Sequence, residues 1–186
     1  MALVTVTKLK CHDLLGKKTL IIARRRGGAS TLLLHIMSEL SNRAPCSLIS
    51  PCGCDPIYGP VQVQDSINGI VTSQVHPPAV FWDTSATVVP HLLQMVPSGV
   101  STLVITAMDM DIDLGGPLFP FDFVILGFQH QKEVVERLHT LFGRVLGHFN
   151  HFQALMFEYT QKYKFLVIDM NEKRALWIAA PLRPRL

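Results

Sequence analysis

Two glycines and two hydroxyl side chains follow a run of apolar residues near the start of the chain. Gly27 and Gly28 precede Ser30 and Thr31, and a second apolar stretch begins directly after them. The eight residues 23–30 stand in the frame G-x-x-x-x-G-K-[ST], the phosphate-binding P-loop of nucleotide-hydrolysing enzymes. Backbone N–H groups of such a loop cradle phosphates, and the Ser or Thr hydroxyl binds Mg²⁺. The predicted nucleotide-binding residues are Arg26, Gly27, Gly28, Ser30 and Thr31.

The residue at the lysine position of this frame is Ala29. That lysine normally reaches the β- and γ-phosphates and stabilises the charge that develops in the transition state, which a methyl group cannot do. The run Arg24–Arg26 could supply replacement charge, although a guanidinium is a wide fork and not a point charge. Two interpretations stay open: a degenerate site for ATP and Mg²⁺, or a plain strand–turn–helix whose basic loop is solvated.

An acid ends a second apolar run. Ala79–Trp82 is followed by Asp83, the pattern of a Walker B strand, and Asp83 would share Mg²⁺ with Ser30. Active ATPases of this type usually carry a second acid at the next position, where this chain has Thr84. Asp83 is therefore at most a remnant of a catalytic site. The alternative is an ordinary buried strand with Asp83 as a turn or capping residue.

Length and composition bound the class of protein. The chain has 186 residues, of which 48% are hydrophobic and 17% charged, and its net charge is +3. This is ample apolar material for one domain over residues 1–186, and it excludes a disordered chain. No run approaches the ~18 apolar residues of a membrane span, and no secretory signal is visible. We expect an intracellular protein that is not secreted and has no membrane partner.

The alternation of apolar runs with helical periodicity predicts an α/β fold. We expect a three-layer, P-loop NTPase-like sandwich, with a mainly parallel sheet and helices on both faces. The predicted strands are Leu20–Ala23, Cys46–Ser50, Ala79–Asp83, Ser101–Ala107, Phe121–Phe128, Phe165–Asp169 and Ala175–Ala180. The predicted helices are Ser30–Leu40, Ser85–Val96, Gln131–Phe142 and Phe149–Gln161, and a hairpin turn is predicted over Asn171–Lys173.

The order of these motifs resembles the DNA-packaging ATPases of large double-stranded DNA viruses, such as poxviruses and iridoviruses, within the FtsK/HerA superfamily. The resemblance spans about Leu15 to Pro181 and implies a role in virion assembly and genome packaging in the host cell of a virus. It is carried by Leu20–Leu34, Ser50–Pro51, Tyr58–Val61, Val80–Thr84, Val100–Met108, Phe121–Ile125 and Phe152–Asp169.

This sequence departs from that family at the positions that carry its catalytic residues. The polar sensor expected at the end of the fourth strand falls near Ala107 and Met108, and the basic residue thought to act across a subunit boundary is missing from Gly115–Pro120. With Ala29 and Thr84, these changes indicate a pseudo-ATPase that serves as a structural or regulatory subunit. The implied partners are viral DNA, capsid protein or an active motor subunit, with weak or partner-dependent self-assembly. The alternative is an active ATP-dependent DNA translocase that uses an arginine in place of the lysine.

Two basic clusters are candidates for DNA contact. Arg24 and Arg25 lie in the P-loop frame, and Arg183 and Arg185 lie near the end of the sequence. Phosphate contacts by such residues depend on salt and not on base sequence. We therefore predict at most weak, non-specific DNA binding, against the alternative of two solvated patches.

Overall fold

The computed structural model describes residues 6–49, 62–64, 78–83, 96, 99–107 and 121–181, with residues 62–64 described by their backbone alone. Three α-helices lie in this part of the chain, and two single-turn 3₁₀ helices cover Cys11–Leu14 and Gly143–Leu146. The strands are β1 Thr7–Lys8, β2 Lys18–Ile22, β3 Cys46–Ile49, β4 Gln62–Gln64, β5 Ala79–Trp82, β6 Thr102–Ala107, β7 Phe123–Leu126, β8 Lys164–Asp169 and β9 Arg174–Ala179. The α-helices are α1 Ala29–Ser41, α2 Lys132–Leu141 and α3 Phe149–Tyr159.

These strands form one sheet in the order β1-β9-β8-β7-β2-β6-β5-β3-β4. From β7 to β4 every neighbouring pair is parallel, and β8 and β9 add an antiparallel hairpin beyond β7. Parallel strands covered on both faces carry continuous apolar runs, and the side chains of β5 and β6 are buried throughout. The predicted mainly parallel sheet is confirmed.

Alternate residues of the central strands feed two separate cores. Ile21 points to the face covered by α1, where it joins Leu33 and Ile36. Leu20 points to the opposite face, where it joins residues of α2 and α3 such as Leu138 and Phe152. Because successive side chains of a strand point to opposite faces, one apolar strand holds three layers together. The predicted three-layer sandwich is confirmed.

The sequence missed the strand β1. Thr7 and Lys8 pair in parallel with Leu176 and Trp177 of β9, and both side chains are exposed. A strand of two exposed residues is too short to show hydrophobic periodicity in the sequence. Its position depends on pairing with the edge strand β9. The predicted helix over Ser85–Val96 lies outside the described residues except for Val96.

No helix in the described ranges is long and apolar enough to cross a membrane.

A buried carboxylate closes the hairpin between β8 and β9. Asp169 is 4% exposed and accepts hydrogen bonds from the backbone N–H groups of Asn171 and Glu172 at 3.2 Å and 2.9 Å. Nε of Arg174 donates to its second oxygen at 3.3 Å. The predicted turn over Asn171–Lys173 is confirmed, and Asp169 holds it together.

We expect Asp169→Ala to lower the free energy of unfolding by about 1–3 kcal/mol, because two backbone N–H groups and the Arg174 side chain lose a charged acceptor. Urea denaturation followed by circular dichroism measures the change. Glu172→Ala is the matched control, since that side chain is exposed at the same turn and its removal should cost less than about 0.5 kcal/mol. Equal losses in the two variants would contradict this account of the turn.

Candidate functional site

The P-loop frame folds as a short loop between β2 and α1. β2 ends at Ile22 and α1 begins at Ala29. Gly28 precedes the helix in the left-handed conformation, with φ 85°, which favours glycine because it has no Cβ. The N–H of Gly27 donates to the carbonyl oxygen of Arg24 at 2.8 Å and closes the turn. The helix thus starts at the position of the missing lysine, one residue earlier than predicted.

The loop and the helix start present positive charge. The side chains of Arg24, Arg25 and Arg26 are exposed, and the Arg24 guanidinium lies 5.2 Å from the centroid of the Phe128 ring. The first turn of α1 contains no acidic residue, so the partial positive charge of the helix N-terminus is not offset there. Ser30 is exposed within the same turn. The arrangement is chemically suited to an anion.

Backbone hydrogen bonds to the neighbouring strands β6 and β7 hold the carboxyl end of β2 and the start of the loop in place. The N–H of Ala23 donates to the carbonyl oxygen of Ala107 at 3.2 Å, and the N–H of Gly127 donates to that of Ile22 at 2.8 Å. A Cβ on Gly127 would lie 2.7 Å from the Cβ of Ala23, so this close approach requires glycine. The loop is therefore anchored to the ends of both β6 and β7.

Asp83 lies at the same edge of the sheet as the loop. β2 and β5 both pair in parallel with β6, one on each side, so their carboxyl ends share one edge. Strands lie about 4.8 Å apart, so β2 and β5 are separated by roughly 10 Å. The backbone N–H of Asp83 donates to the carbonyl oxygen of Ile49 at 2.9 Å and continues the sheet by one residue. The predicted phosphate-binding loop and the predicted acid are thus neighbours.

The side chain of Asp83 is oriented by a residue that the sequence analysis missed. The hydroxyl of Thr106, a buried residue of β6, donates to Oδ1 of Asp83 at 2.7 Å. The sensor was expected near Ala107 and Met108, but Ala107 is a buried core residue and Met108 lies outside the described residues. Thr106 is a polar residue within the apolar run from Leu103 to Ala107. This interruption is the feature of the sequence that could have identified it.

Two further residues at this edge were also missed. Tyr163, the residue before β8, is 53% exposed, and its ring borders the loop at Gly28. Gln129, three residues beyond β7, is buried, and its Nε2 has no hydrogen-bond partner among the described residues. Lys162 and Tyr163 both have positive φ, at 53° and 61°, a conformation that costs on the order of 1–3 kcal/mol per non-glycine residue.

Other candidates for chemistry are weaker. Burial raises the pKa of the Cys11 thiol to about 11 and raises the pKa of the Cys46 thiol, so both are largely protonated and poor nucleophiles near neutral pH. In the described part of the chain, no group of three or more His, Cys, Asp or Glu side chains forms a metal cluster. Several predicted positions lie outside the described residues, namely Thr84, Met108, Gly115–Pro120, Arg183 and Arg185.

Comparison with protein-family models gives no match, and comparison with curated proteins gives none either. The fold is similar to solved structures of viral packaging proteins. The DNA-packaging ATPase B204 from Sulfolobus Turreted Icosahedral Virus has a TM-score of 0.62 and 13% sequence identity, over 91% of this chain and 100% of that chain. The genome packaging NTPase B204 from Sulfolobus turreted icosahedral virus 2, in complex with AMPPCP, has a TM-score of 0.60 and 12% identity, over 89% of this chain and 98% of that chain. This chain therefore shares the α/β fold of these packaging ATPases, and at such identity the likeness shows the fold alone.

Proposed function

We propose that this chain is a viral genome-packaging ATPase homologue that binds nucleotide weakly and does not hydrolyse it. One observation carries the proposal: a packaging-ATPase fold brings the P-loop frame and Asp83 to one edge of the sheet, while Ala29 takes the lysine position. The similar NTPase is described in complex with AMPPCP, AMP and ATP-gammaS. Such a subunit acts structurally or as a regulator in virion assembly.

Phosphate binding by this chain relies on its backbone and on the helix start. The Gly27–Gly28 backbone and the N-terminus of α1 supply N–H groups and partial positive charge, with Arg26 beside them. Ser30 and Thr31 carry the hydroxyl groups of the frame. Ser30 and Asp83 are the residues that would hold Mg²⁺, which supplies charge to the phosphates when bound.

Several groups needed for hydrolysis are missing from the sequence. Ala29 cannot stabilise the γ-phosphate, Thr84 cannot polarise water as an acid does, and Gly115–Pro120 has no basic residue to act across a subunit boundary. Loss of one transition-state contact costs on the order of 10²–10³ in rate, and an absent arginine finger on the order of 10³–10⁵. The losses need not multiply, but one of them is enough to suppress turnover.

A second candidate is an active ATP-dependent DNA translocase in which an arginine replaces the lysine. The exposed side chains of Arg24–Arg26 in the loop favour it. Against it, the Arg24 guanidinium lies over the ring of Phe128. Arg26 has a left-handed backbone, with φ 62°, whereas the lysine position at Ala29 is the first residue of helix α1. Measurement of hydrolysis separates the two candidates.

The proposed partners are viral DNA, capsid protein or an active packaging motor subunit. Membership of the FtsK/HerA superfamily, with relatives in poxviruses and iridoviruses, belongs to the same proposal. Weak or partner-dependent self-assembly stays a prediction that rests on the sequence of Gly115–Pro120.

We expect no significant ATP hydrolysis by the purified protein, because charge stabilisation and water activation are both absent from their positions. Phosphate release with Mg²⁺ measures the rate, and Asp83→Ala is the control for contaminating activity. Turnover in the natural chain that disappears in Asp83→Ala would establish the arginine-based translocase instead.

Restoring the lysine should separate binding from catalysis. We expect Ala29→Lys to tighten ATP binding about tenfold or more, since a charge-assisted hydrogen bond contributes about 1.5–3 kcal/mol, while turnover stays absent with Thr84 in place. Isothermal titration calorimetry measures the affinity. Ala29→Met is the matched control of similar length without charge and should bind no more tightly than the natural chain. Equal gains in both variants would mean that the helix start does not contact phosphate.

DNA binding should be weak and salt-dependent if the basic loop contributes to it. We expect simultaneous replacement of Arg24–Arg26 by alanine to weaken binding to duplex DNA at low salt, measured by fluorescence anisotropy. The control replaces three exposed basic residues on other elements, Arg43, Arg144 and Lys173, with the same loss of charge. The same loss of affinity in both triple variants would remove a specific role for the loop.

A further inference from the structure

We propose that Tyr163 and Gln129 form a base-binding subsite for a purine nucleotide. Tyr163 stacks on the base, and Nε2 of Gln129 donates a hydrogen bond to an acceptor atom on the edge of the base. The inference rests on the proposed function, because it takes the phosphates of the same nucleotide to lie at the Gly27–Gly28 backbone.

The topology places Tyr163 on the side of the loop opposite to Asp83. β8 runs antiparallel to β7, so its first residue lies at the edge where the parallel strands end. In the order β8-β7-β2-β6-β5, the strand β2 is central, and β8 and β5 are each two strands away from it. Each separation is roughly 10 Å at the usual spacing of strands. A nucleotide with its phosphates at β2 can thus direct its metal towards Asp83 and its base towards Tyr163.

The ring of Tyr163 lies next to the loop and is still open to a ligand. A Cβ on Gly28 would lie 3.7 Å from Cδ1 of Tyr163 and 3.5 Å from Cζ of Phe165. Phe165 is buried in the core, whereas Tyr163 is 53% exposed. Both rings therefore lie beside Gly28, and of the two residues only Tyr163 is exposed there.

The backbone holds Tyr163 in place. Its carbonyl oxygen accepts a hydrogen bond from the N–H of Ala180 at 2.9 Å, and the N–H of Lys164 donates to the carbonyl oxygen of Gln161 at 3.0 Å. These bonds fix a turn in which Lys162 and Tyr163 both have positive φ, which is rare for bulky residues. A fixed backbone at Tyr163 limits the conformational freedom that is lost when a base stacks on its ring.

The side-chain amide of Gln129, which follows the carboxyl end of β7, is a second candidate contact for the base. Its side chain is 9% exposed, and Nε2 has no partner among the described residues. β7 and β8 pair with Leu126 opposite Leu166, and a Cβ on Gly127 would lie 3.2 Å from the ring of Phe165. Gln129 follows Gly127 by two residues, so it lies near the start of β8. A buried donor without a partner is destabilising, and the edges of purine bases carry nitrogen and oxygen acceptors.

These features favour a purine nucleotide over bare polyphosphate. Stacking of a base on an aromatic side chain contributes about fivefold to hundredfold in affinity per base, and a purine offers the larger ring surface. A hydrogen bond from Gln129 adds selectivity for a base with an acceptor towards it.

The experiment compares ATP with inorganic tripolyphosphate, which has the phosphates without the base. Isothermal titration calorimetry with Mg²⁺ measures both affinities for the full chain. We expect Tyr163→Ala to weaken ATP binding about fivefold or more and to leave tripolyphosphate binding unchanged. Tyr163→Phe keeps the ring and should retain ATP affinity. Gln129→Leu should weaken ATP binding several-fold, again without effect on tripolyphosphate.

Phe157→Ala is the matched control, because Phe157 is an aromatic residue of α3 that is 70% exposed, and it should change neither affinity. The subsite is wrong, and the proposed function stands, if the natural chain binds tripolyphosphate as tightly as ATP. The subsite is also wrong if Tyr163→Ala and Tyr163→Phe weaken both ligands equally. If the natural chain binds neither ligand, the proposed function fails and the subsite fails with it.

Discussion

The parallel pairing of β2 with β6 on one side and β7 on the other fixes the candidate site. Ile22, the last residue of β2, lies opposite Ala107 and Leu126, and hydrogen bonds from Ala23 and Gly127 extend the pairing by one step. The following loop starts from a rigid base because these strands are buried on both faces. Helix α1 must pack its apolar side against the same strands, so its N-terminus can lie only at this edge.

The edge is chemically asymmetric about β2. Towards β5 it carries polar groups, with the Asp83 carboxylate held by the Thr106 hydroxyl. Towards β8 it carries the Gln129 amide and the Tyr163 ring. The loop between them is basic and is closed by glycine. A ligand with a charged end and an aromatic end matches this division better than a uniform anion does.

The residues that build the fold differ from those that would perform catalysis. The core contains apolar side chains from alternating positions of the strands, such as Leu20 and Ile21, with the facing sides of α1, α2 and α3. Ala29, by contrast, lies in the first turn of α1 and is only partly buried at the margin of the core. The largest fully buried side chains come from other positions, so the core depends mainly on residues outside the P-loop frame. This chain therefore has the fold of the packaging ATPases with alanine at the lysine position of the P-loop frame.

The sequence by itself determined the α/β class, the central strands, the described helices and the candidate loop with Asp83. Strands buried on both faces require continuous apolar runs, and helices with one buried face require a 3.6-residue period, so both patterns are local. Strand ends differed from expectation by one or two residues, because hydrogen bonds between strands, and not the apolar pattern, set where a strand begins and ends. Only the tertiary structure decided the pairing of β1 with β9, the hydrogen bond between Thr106 and Asp83, the place of Tyr163 beside the loop and the burial of Gln129. These contacts join residues far apart in the chain, and their geometry is set by strand order, which no local pattern encodes.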